Sequence, residues 1–152
     1  MGFGLPAAIG AKIGAPERPV CFFVGDGGIQ MTVEELGVIL QYGIAVKIII
    51  LNNNFLGMVR QWQDIFYNKR YSETPMVNPD FVALAKAYGI AAEDVVDRND
   101  LAGAIDRMMN HDGAYVLNVK VESEGYVFPM VPAGSTMINT ILAPGEKYQP
   151  KN

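Results

Sequence analysis

The sequence predicts an α/β domain built on a parallel, doubly wound sheet. Two short apolar runs, at residues 20–24 and 46–51, are rich in branched and aromatic side chains and show no alternation. Such runs are typical of strands that are covered on both faces. Segments with apolar residues at helical spacing separate the runs and are long enough for right-handed crossovers. Neighbouring strands are therefore expected to run parallel, with helices on both faces of the sheet.

Each element follows from local signals in chain order. The first helix carries Pro6 in its first turn, where proline is tolerated, and ends at Gly14 and Pro16. Thr32-Val33-Glu34-Glu35 matches a capping box, with Thr32 as the N-cap and Glu35 three positions later, and Gly43 closes that helix. Helices are expected at 5–15, 33–42, 57–67, 79–88 and 101–109, and strands at 20–24, 46–51, 91–96 and 115–121.

The regular pattern ends after the last strand. Residues 1–121 are predicted to form the α/β domain, and residues 122–152 an irregular C-terminal tail. The stretch 128–134 is apolar, but Pro129 and Pro132 prevent a regular helix. An apolar irregular segment normally lies against another surface. We expect the tail to pack on the domain or on its active site.

The composition excludes some classes of partner and indicates others. Half of the 152 residues are hydrophobic and 18% are charged, which indicates either a large core or a face covered by another domain or subunit. The net charge of −4 argues against a nucleic-acid partner. No apolar run approaches the length of a membrane span, and we expect no secretion signal, because the N-terminus has no charged segment followed by an apolar one. The single Cys21 favours a reducing, cytoplasmic location. The opening at 1–6 is unusual for a natural start, so we expect the chain to be cut from a larger protein.

Two short motifs at the ends of the first two strands indicate a binding site. Gly25-Asp26-Gly27 follows the first strand and Asn52-Asn53 follows the second, with 24 residues between the motifs. Ligands of open α/β sheets bind at the carboxyl ends of the strands. A carboxylate and an amide oxygen beside glycines suit a magnesium ion that carries a diphosphate. The alternative is that both motifs are strand-to-helix turns that bind nothing.

The spacing of these motifs resembles the diphosphate-binding motif of thiamine diphosphate enzymes. Three further segments are similar to the C-terminal third of the acetolactate synthase (acetohydroxyacid synthase) catalytic large subunit. They are MGFGLPAAIGA at 1–11, LGMVRQWQ at 56–63 and FPMVP at 128–132. The segment at 56–63 is the most specific to this family. The resemblance covers nearly the whole chain. It implies the thiamine diphosphate-binding fold, with thiamine diphosphate and Mg²⁺ as cofactors.

The resemblance also implies roles for individual residues. Asp26 and Asn53 would hold the magnesium ion, with the carbonyl oxygen of Phe55 as a further ligand. Trp62 would lie over the active-site entrance and favour 2-oxobutyrate over pyruvate as the second substrate. The cofactor would be contacted by the backbone of the glycine turn and by three methionines of the cleft: Gly25, Gly27, Gly28, Met1, Met31 and Met58. Ordinary core packing is the alternative for the methionines and for Trp62.

The implied reaction condenses pyruvate with a second 2-oxoacid, pyruvate or 2-oxobutyrate, in branched-chain amino-acid biosynthesis. The family's activating glutamate lies on an N-terminal domain of a neighbouring subunit, and FAD binds a middle domain. Neither domain is matched here, so we expect this chain alone to be inactive. The resemblance implies a homo-oligomer, with a regulatory subunit as a possible partner. Two alternatives stay open: a short subunit of a split thiamine diphosphate-dependent 2-oxoacid decarboxylase, and a non-catalytic domain that binds a nucleotide or mediates subunit contact.

Overall fold

The computed structural model describes residues 1–143. Within them the chain forms one four-stranded sheet in which every neighbouring pair is parallel, in the order β1-β2-β4-β3. The strands are β1 (Val20–Gly25), β2 (Val46–Asn52), β3 (Ala91–Val95) and β4 (Tyr115–Lys120). The predicted parallel sheet is confirmed, and each strand lies where its apolar run predicts it.

Six α-helices belong to this part of the chain. They are α1 (Gly4–Gly14), α2 (Asp26–Gln30), α3 (Leu36–Tyr42), α4 (Gly57–Phe66), α5 (Phe81–Ala87) and α6 (Leu101–Asn110). Three short 3-10 turns lie at Val33–Glu35, Arg98–Asp100 and Met137–Asn139. The predicted helices are present with bounds shifted by a few residues. Helix α2 was not predicted, because two glycines in its five residues make it a poor helix by propensity.

The predicted capping box at Thr32 is wrong. Val33–Glu35 is a 3-10 turn, and the Thr32 side chain makes no capping hydrogen bond to it. Thr32 Oγ1 instead donates to the carbonyl oxygen of Gly2 at 3.1 Å. Because a hydroxyl can donate to any nearby carbonyl, a tertiary partner has replaced the local one.

Helices pack on both faces of the sheet, as a doubly wound fold requires. The prediction that β1 is covered on both faces is wrong, however, because no helix of residues 1–143 covers Cys21 and Phe23 on one face of β1, and both are exposed. On one face, α1, α3 and α5 pack on the inward side chains of β2 and β4, such as Ile48 and Val116. On the other face, α6 packs on Leu117 and Ile49. The alternation of Ile48 and Ile49 along β2 distributes adjacent side chains between the two cores. This explains why β2 is apolar without a period of two.

The register of the sheet determines where the site lies. Gly25, the last residue of β1, is paired with Leu51 of β2. The residues that follow, Asp26 and Asn52–Asn53, therefore emerge side by side at the carboxyl edge. Within residues 1–143, no helix has the length and apolar character needed to cross a bilayer.

The chain after β4 is irregular, as predicted. A short antiparallel bridge joins Met130 to Ile141, and both side chains are buried. The predicted tail extends to residue 152, and residues 144–152 lie outside the described residues.

Candidate active site

A cavity of about 610 Å³ opens at the carboxyl ends of β1 and β2. Its volume lies within the range of roughly 300–1,000 Å³ that is typical of ligand pockets. The lining comes from the turn after β1, the loop after β2, the first turn of α4 and the start of the tail. It includes Gly25, Asp26, Gly27, Gly28, Asn53, Phe55, Met58, Glu122, Tyr126 and Val127.

Asp26 is the most buried carboxylate of this cavity, with 1% of its surface exposed. Its Oδ2 atom accepts hydrogen bonds from the backbone N–H of Asn54 at 2.8 Å and from Nδ2 of Asn78 at 2.7 Å. Among the described residues, its Oδ1 atom accepts only from the N–H of Gly27, at 3.0 Å. The side chain is thus held by one oxygen, and the other oxygen retains acceptor capacity for a cation.

The loop after β2 is held in a fixed conformation beside Asp26. Asn53 Oδ1 accepts from the backbone N–H of Phe55 at 3.0 Å, which is an Asx turn. Asn54 has a φ of 58°, a left-handed conformation that asparagine tolerates better than most residues. Residues 74–76 fix the loop from outside, through the hydrogen bonds Leu56 N–H to Thr74 O and Met76 N–H to Asn54 O.

Gly25 and Gly27 of the turn differ in the physical reason for which a glycine is needed at each position. A Cβ atom on Gly27 would lie 2.6 Å from Cδ2 of Leu56 and 3.0 Å from the sulfur atom of Met76, so a larger residue there would force these side chains to shift. A Cβ atom on Gly25 would meet no heavy atom within 4 Å, and Gly25 has φ −76° and ψ 156°, which any residue adopts. The protein alone does not require glycine at position 25. A ligand that approaches the backbone from the cavity would require it.

The electrostatics of the cavity favour an anion that is accompanied by a divalent cation. The first residues of α2 and of the ten-residue α4 line the cavity, so two sets of N-terminal amides face the same space. The lining also holds the carboxylates Asp26 and Glu122, and no lysine or arginine of the described chain. A diphosphate without a metal would be repelled by these carboxylates. A bound Mg²⁺ would neutralise that repulsion.

The donor set fits a metal that takes most of its ligands from a substrate. Within residues 1–143, no group of three or more histidine, cysteine, aspartate or glutamate side chains is placed to hold a metal. One carboxylate, one amide oxygen and a backbone carbonyl instead suit Mg²⁺, which commonly uses few protein ligands and completes its octahedron with phosphate oxygens.

Comparison with known proteins identifies the family. The model of the C-terminal TPP-binding domain of thiamine pyrophosphate (thiamine diphosphate) enzymes matches residues 1–119. The chain belongs to the thiamine diphosphate enzymes. This finding confirms the fold and the cofactor class that the sequence predicts.

The similar curated proteins are acetolactate synthases. The chain is 44% identical over 137 residues to the acetolactate synthase isozyme 2 large subunit of Escherichia coli strain K12, covering 90% of this chain and 25% of that protein. It is 47% identical to the mitochondrial acetolactate synthase of Schizosaccharomyces pombe, covering 93% and 21%. The chain thus spans about a quarter or less of the length of these relatives.

A solved structure shares the fold. The thiamine diphosphate-dependent 4-hydroxybenzoylformate decarboxylase of Rhodococcus jostii RHA1 superposes with a TM-score of 0.75 at 34% identity, covering 80% of this chain and 23% of that one. The family therefore includes neighbours whose names describe either carboligation or decarboxylation.

The structure brings most of the site residues named from sequence to this thiamine diphosphate-type cavity. Met1 and Met58 line the cavity together with the glycine turn. Met31 is 44% exposed and is not part of the lining. Trp62 also lies outside the lining, and its ring packs on Phe66 with 5.0 Å between ring centroids.

The tail forms one wall of the cavity and is held by α4. Glu122, Tyr126 and Val127 of the tail line the cavity. Gln61, buried in α4, exchanges two hydrogen bonds with the backbone of Val127. Arg60 donates to the carbonyl oxygen of Ser123 at 2.8 Å.

Asp64 of α4 accepts hydrogen bonds from the phenols of Tyr126 and Tyr71. The hydrogen bond to Asp64, together with burial, raises the pKa of Tyr126 to about 12. Burial raises the pKa of Asp64, but the hydrogen bonds from both tyrosines and the charge of Arg60 outweigh it and leave that pKa below its ordinary value. At neutral pH, Tyr126 is therefore a protonated phenol and Asp64 is an ionised carboxylate.

Two residues of the site were missed by sequence reasoning. Asn78 contacts Asp26 from a position 52 residues away, and Gln61 contacts Val127 from 66 residues away. Asn78 was assigned only to a helix start, and Gln61 only to a family-specific stretch. No sequence signal distinguished Gln61, because Arg60, Gln63 and Asp64 make the surrounding helix polar as well.

Proposed function

We propose that this chain anchors the diphosphate of thiamine diphosphate through Mg²⁺ in an acetolactate synthase. The observation that carries the proposal is the meeting of Asp26 and Asn53 at one cavity, at the carboxyl ends of adjacent parallel strands. Relatives at 40–47% identity over about nine tenths of the chain bear the name acetolactate synthase, which supports the reaction class.

The metal would be held by Asp26 Oδ1, by Asn53 Oδ1 and by the carbonyl oxygen of Phe55. The backbone at Gly25, Gly27 and Gly28 would face the diphosphate. Thiamine diphosphate supplies, when bound, the nucleophilic carbon that the carbon–carbon chemistry requires. The residues of this chain bind the cofactor's charged end, orient it and close one side of its site with the tail.

The complete enzyme would condense pyruvate with pyruvate or 2-oxobutyrate in branched-chain amino-acid biosynthesis. We place its activating glutamate and its FAD site on other domains, because nothing in this chain resembles either. The expected assembly is a homo-oligomer whose sites lie between subunits, with a possible regulatory subunit. In this scheme residues 1–121 are the cofactor-binding domain and the tail from residue 122 is a wall of the site. Cytoplasmic location stays a prediction from Cys21.

The second candidate is a short subunit of a split 2-oxoacid decarboxylase. The similarity to the 4-hydroxybenzoylformate decarboxylase of R. jostii favours decarboxylation as the chemistry, but this chain covers only 23% of that protein, so the similarity does not favour a split subunit. The acetolactate synthases are more similar in sequence, at 40–47% identity against 34%, and cover more of the chain. The synthase is therefore the better-supported function.

Binding of the cofactor with and without metal tests the anchor. Calorimetric titration of the complete protein that contains this chain with thiamine diphosphate should show binding that requires Mg²⁺ and disappears with a chelator. We expect Asp26→Asn, which keeps the shape but removes the charge, to lose this Mg²⁺-dependent binding by a factor of about 10 or more. Asp106→Asn, on the exposed surface of α6, is the matched control and should bind as the wild type does. Equal binding with and without Mg²⁺ would reject the proposed anchor.

A further inference from the structure

Asn78 lies at the centre of a group of polar side chains behind the cavity. It precedes α5 and is not part of the cavity lining. Its Nδ2 atom is 2.7 Å from Asp26 Oδ2 and 3.0 Å from Asn54 Oδ1. Its own Oδ1 atom accepts from Nε2 of Gln30 at 2.9 Å. One side chain thus joins the turn after β1, the loop after β2 and the start of α5.

The hydrogen bond from Asn78 to Asp26 determines which oxygen of the Asp26 carboxylate is left to bind a cation. Oδ2 has two donors, the amide of Asn78 and the backbone N–H of Asn54. A hydrogen-bonded carboxylate oxygen that points into the protein cannot turn toward the cavity without losing both donors. Asp26 is 1% exposed, so water could not replace those donors at low cost.

We propose that Asn78 is a positioning residue for the metal-binding carboxylate of Asp26. This inference rests on the proposed function, because it presumes that Asp26 holds a divalent cation. Asn78 fixes the rotamer of Asp26 so that Oδ1 faces the cation, and it draws charge to Oδ2 through its amide. Nε2 of Gln30 in turn donates to Oδ1 of Asn78. This hydrogen bond fixes the orientation of the Asn78 amide and leaves its Nδ2 atom directed at Asp26.

The position of Asn78 in the fold explains why it can do this. The backbone of the following segment is fixed by Asp80, whose carboxylate caps α5 by accepting from the N–H of Ala83 at 2.8 Å. Phe81, the first residue of α5, is buried in the core. Asn78 therefore stands on an anchored segment, and residues with a hydrogen-bonding role of this kind typically change metal affinity by about 10–100-fold when removed.

The test is the affinity of the complete protein that contains this chain for Mn²⁺, used as a paramagnetic substitute for Mg²⁺, in the presence of thiamine diphosphate. We expect Asn78→Ala and Asn78→Leu to weaken Mn²⁺ binding by about 10–100-fold, as measured by electron paramagnetic resonance of the free ion. The leucine variant nearly keeps the volume and removes both donors. Asn110→Ala, at the exposed end of α6, is the control and should bind within about twofold of the wild type.

Thermal unfolding without metal or cofactor separates positioning from a merely structural role. A structural role would lower the unfolding temperature but leave the Mn²⁺ affinity of the folded variants unchanged, and that result would overturn the inference. If the wild type binds Mn²⁺ and Asp26→Ala does not, while both Asn78 variants bind as the wild type does, the inference fails and the proposed function stands. If the wild type itself binds no Mn²⁺ with thiamine diphosphate, the proposed function fails and the inference fails with it.

Discussion

The side-chain amide of Gln61 pairs with the backbone of Val127 through two hydrogen bonds. Nε2 donates to the Val127 carbonyl oxygen at 2.9 Å, and Oε1 accepts from the Val127 N–H at 2.8 Å. Gln61 is 2% exposed, whereas Val127 is 61% exposed, so the hydrogen bonds join a buried side chain to a residue at the surface. One turn of α4 thereby holds a residue of the tail that lines the cavity at the carboxyl ends of β1 and β2.

Removal of this amide should release the tail. In Gln61→Leu the backbone N–H and C=O of Val127 lose these partners, which costs about 0.5–1.5 kcal/mol for each hydrogen bond. We expect faster hydrogen exchange at the Val127 amide and faster proteolysis within 122–130, with the sheet amides unchanged. Gln63→Leu is the control on the same helix, because Gln63 bonds to Ser72 and Thr74 and not to the tail. Unaltered exchange at Val127 in Gln61→Leu would show that the amide does not hold the tail.

The contact between Tyr126 and Asp64 should fail at alkaline pH. The folded pKa of Tyr126, about 12, is higher than the value of about 10 expected in the unfolded chain. The contact therefore stabilises the docked tail fully below pH ~10, and this stabilisation is lost as the pH rises through about 12. Tyrosinate absorbance during alkaline titration should show a tyrosine that ionises near pH 12, and Tyr126→Phe should remove it. Tyr42→Phe, an exposed tyrosine of α3, should leave this transition in place.

At acidic pH the stabilisation from the contact between Tyr126 and Asp64 depends on pH in the opposite direction, because Asp64 is the group that titrates there. The pKa of Asp64 lies below its ordinary value in the folded chain. Its contribution is present above the unfolded pKa of about 3.9 and is lost as the pH falls through the lower folded value. Proteolysis of the tail should therefore be slowest at pH values between the folded pKa of Asp64 and the folded pKa of Tyr126. A rate that stays flat from acid to alkali would contradict the role of the pair.

Alanine substitutions at the two glycines of the turn after β1 should have different effects on folding stability and on cofactor binding. Gly27→Ala brings its Cβ to 2.6 Å from Leu56, and we expect a loss of about 1–3 kcal/mol in the free energy of unfolding from overpacking. Gly25→Ala places its Cβ in open space, so the stability of the free chain should change by less than about 0.5 kcal/mol. Only Gly25→Ala combines unchanged stability with weaker thiamine diphosphate binding. Chemical denaturation and calorimetry measure the two quantities.

Trp62 is expected to influence the choice of the second substrate. In the complete enzyme, Trp62→Leu should lower the preference for 2-oxobutyrate over pyruvate by up to about tenfold, the amount that one altered apolar contact commonly contributes. The ratio of the two products at fixed substrate concentrations measures this preference. Phe66→Leu, which removes the ring that packs on Trp62, is the control for helix packing. An unchanged product ratio in Trp62→Leu would remove Trp62 from the specificity role.

Much of the fold could be predicted from sequence because its signals are local. The apolar runs of β1 and β2, the crossover lengths and the glycine and proline stops depend on neighbours in the chain. Asp26 and Asn53 could be named as partners because parallel strands end at one edge of a sheet. Helix α2 was missed because its propensity is poor, and the contacts of its residues with β1 and β2 stabilise it instead.

The sequence by itself determined the order of the elements, the parallel sheet, the family and the two residues at the strand ends. Tertiary structure alone decided which atoms surround Asp26, that Thr32 bonds to Gly2 and not to its own helix, and that Gln61 holds Val127. The physical reason is the range of the interactions. Backbone propensity and periodicity act over a few residues, whereas a polar side chain bonds to whichever partner the folded chain brings within about 3 Å. That partner can lie anywhere in the sequence.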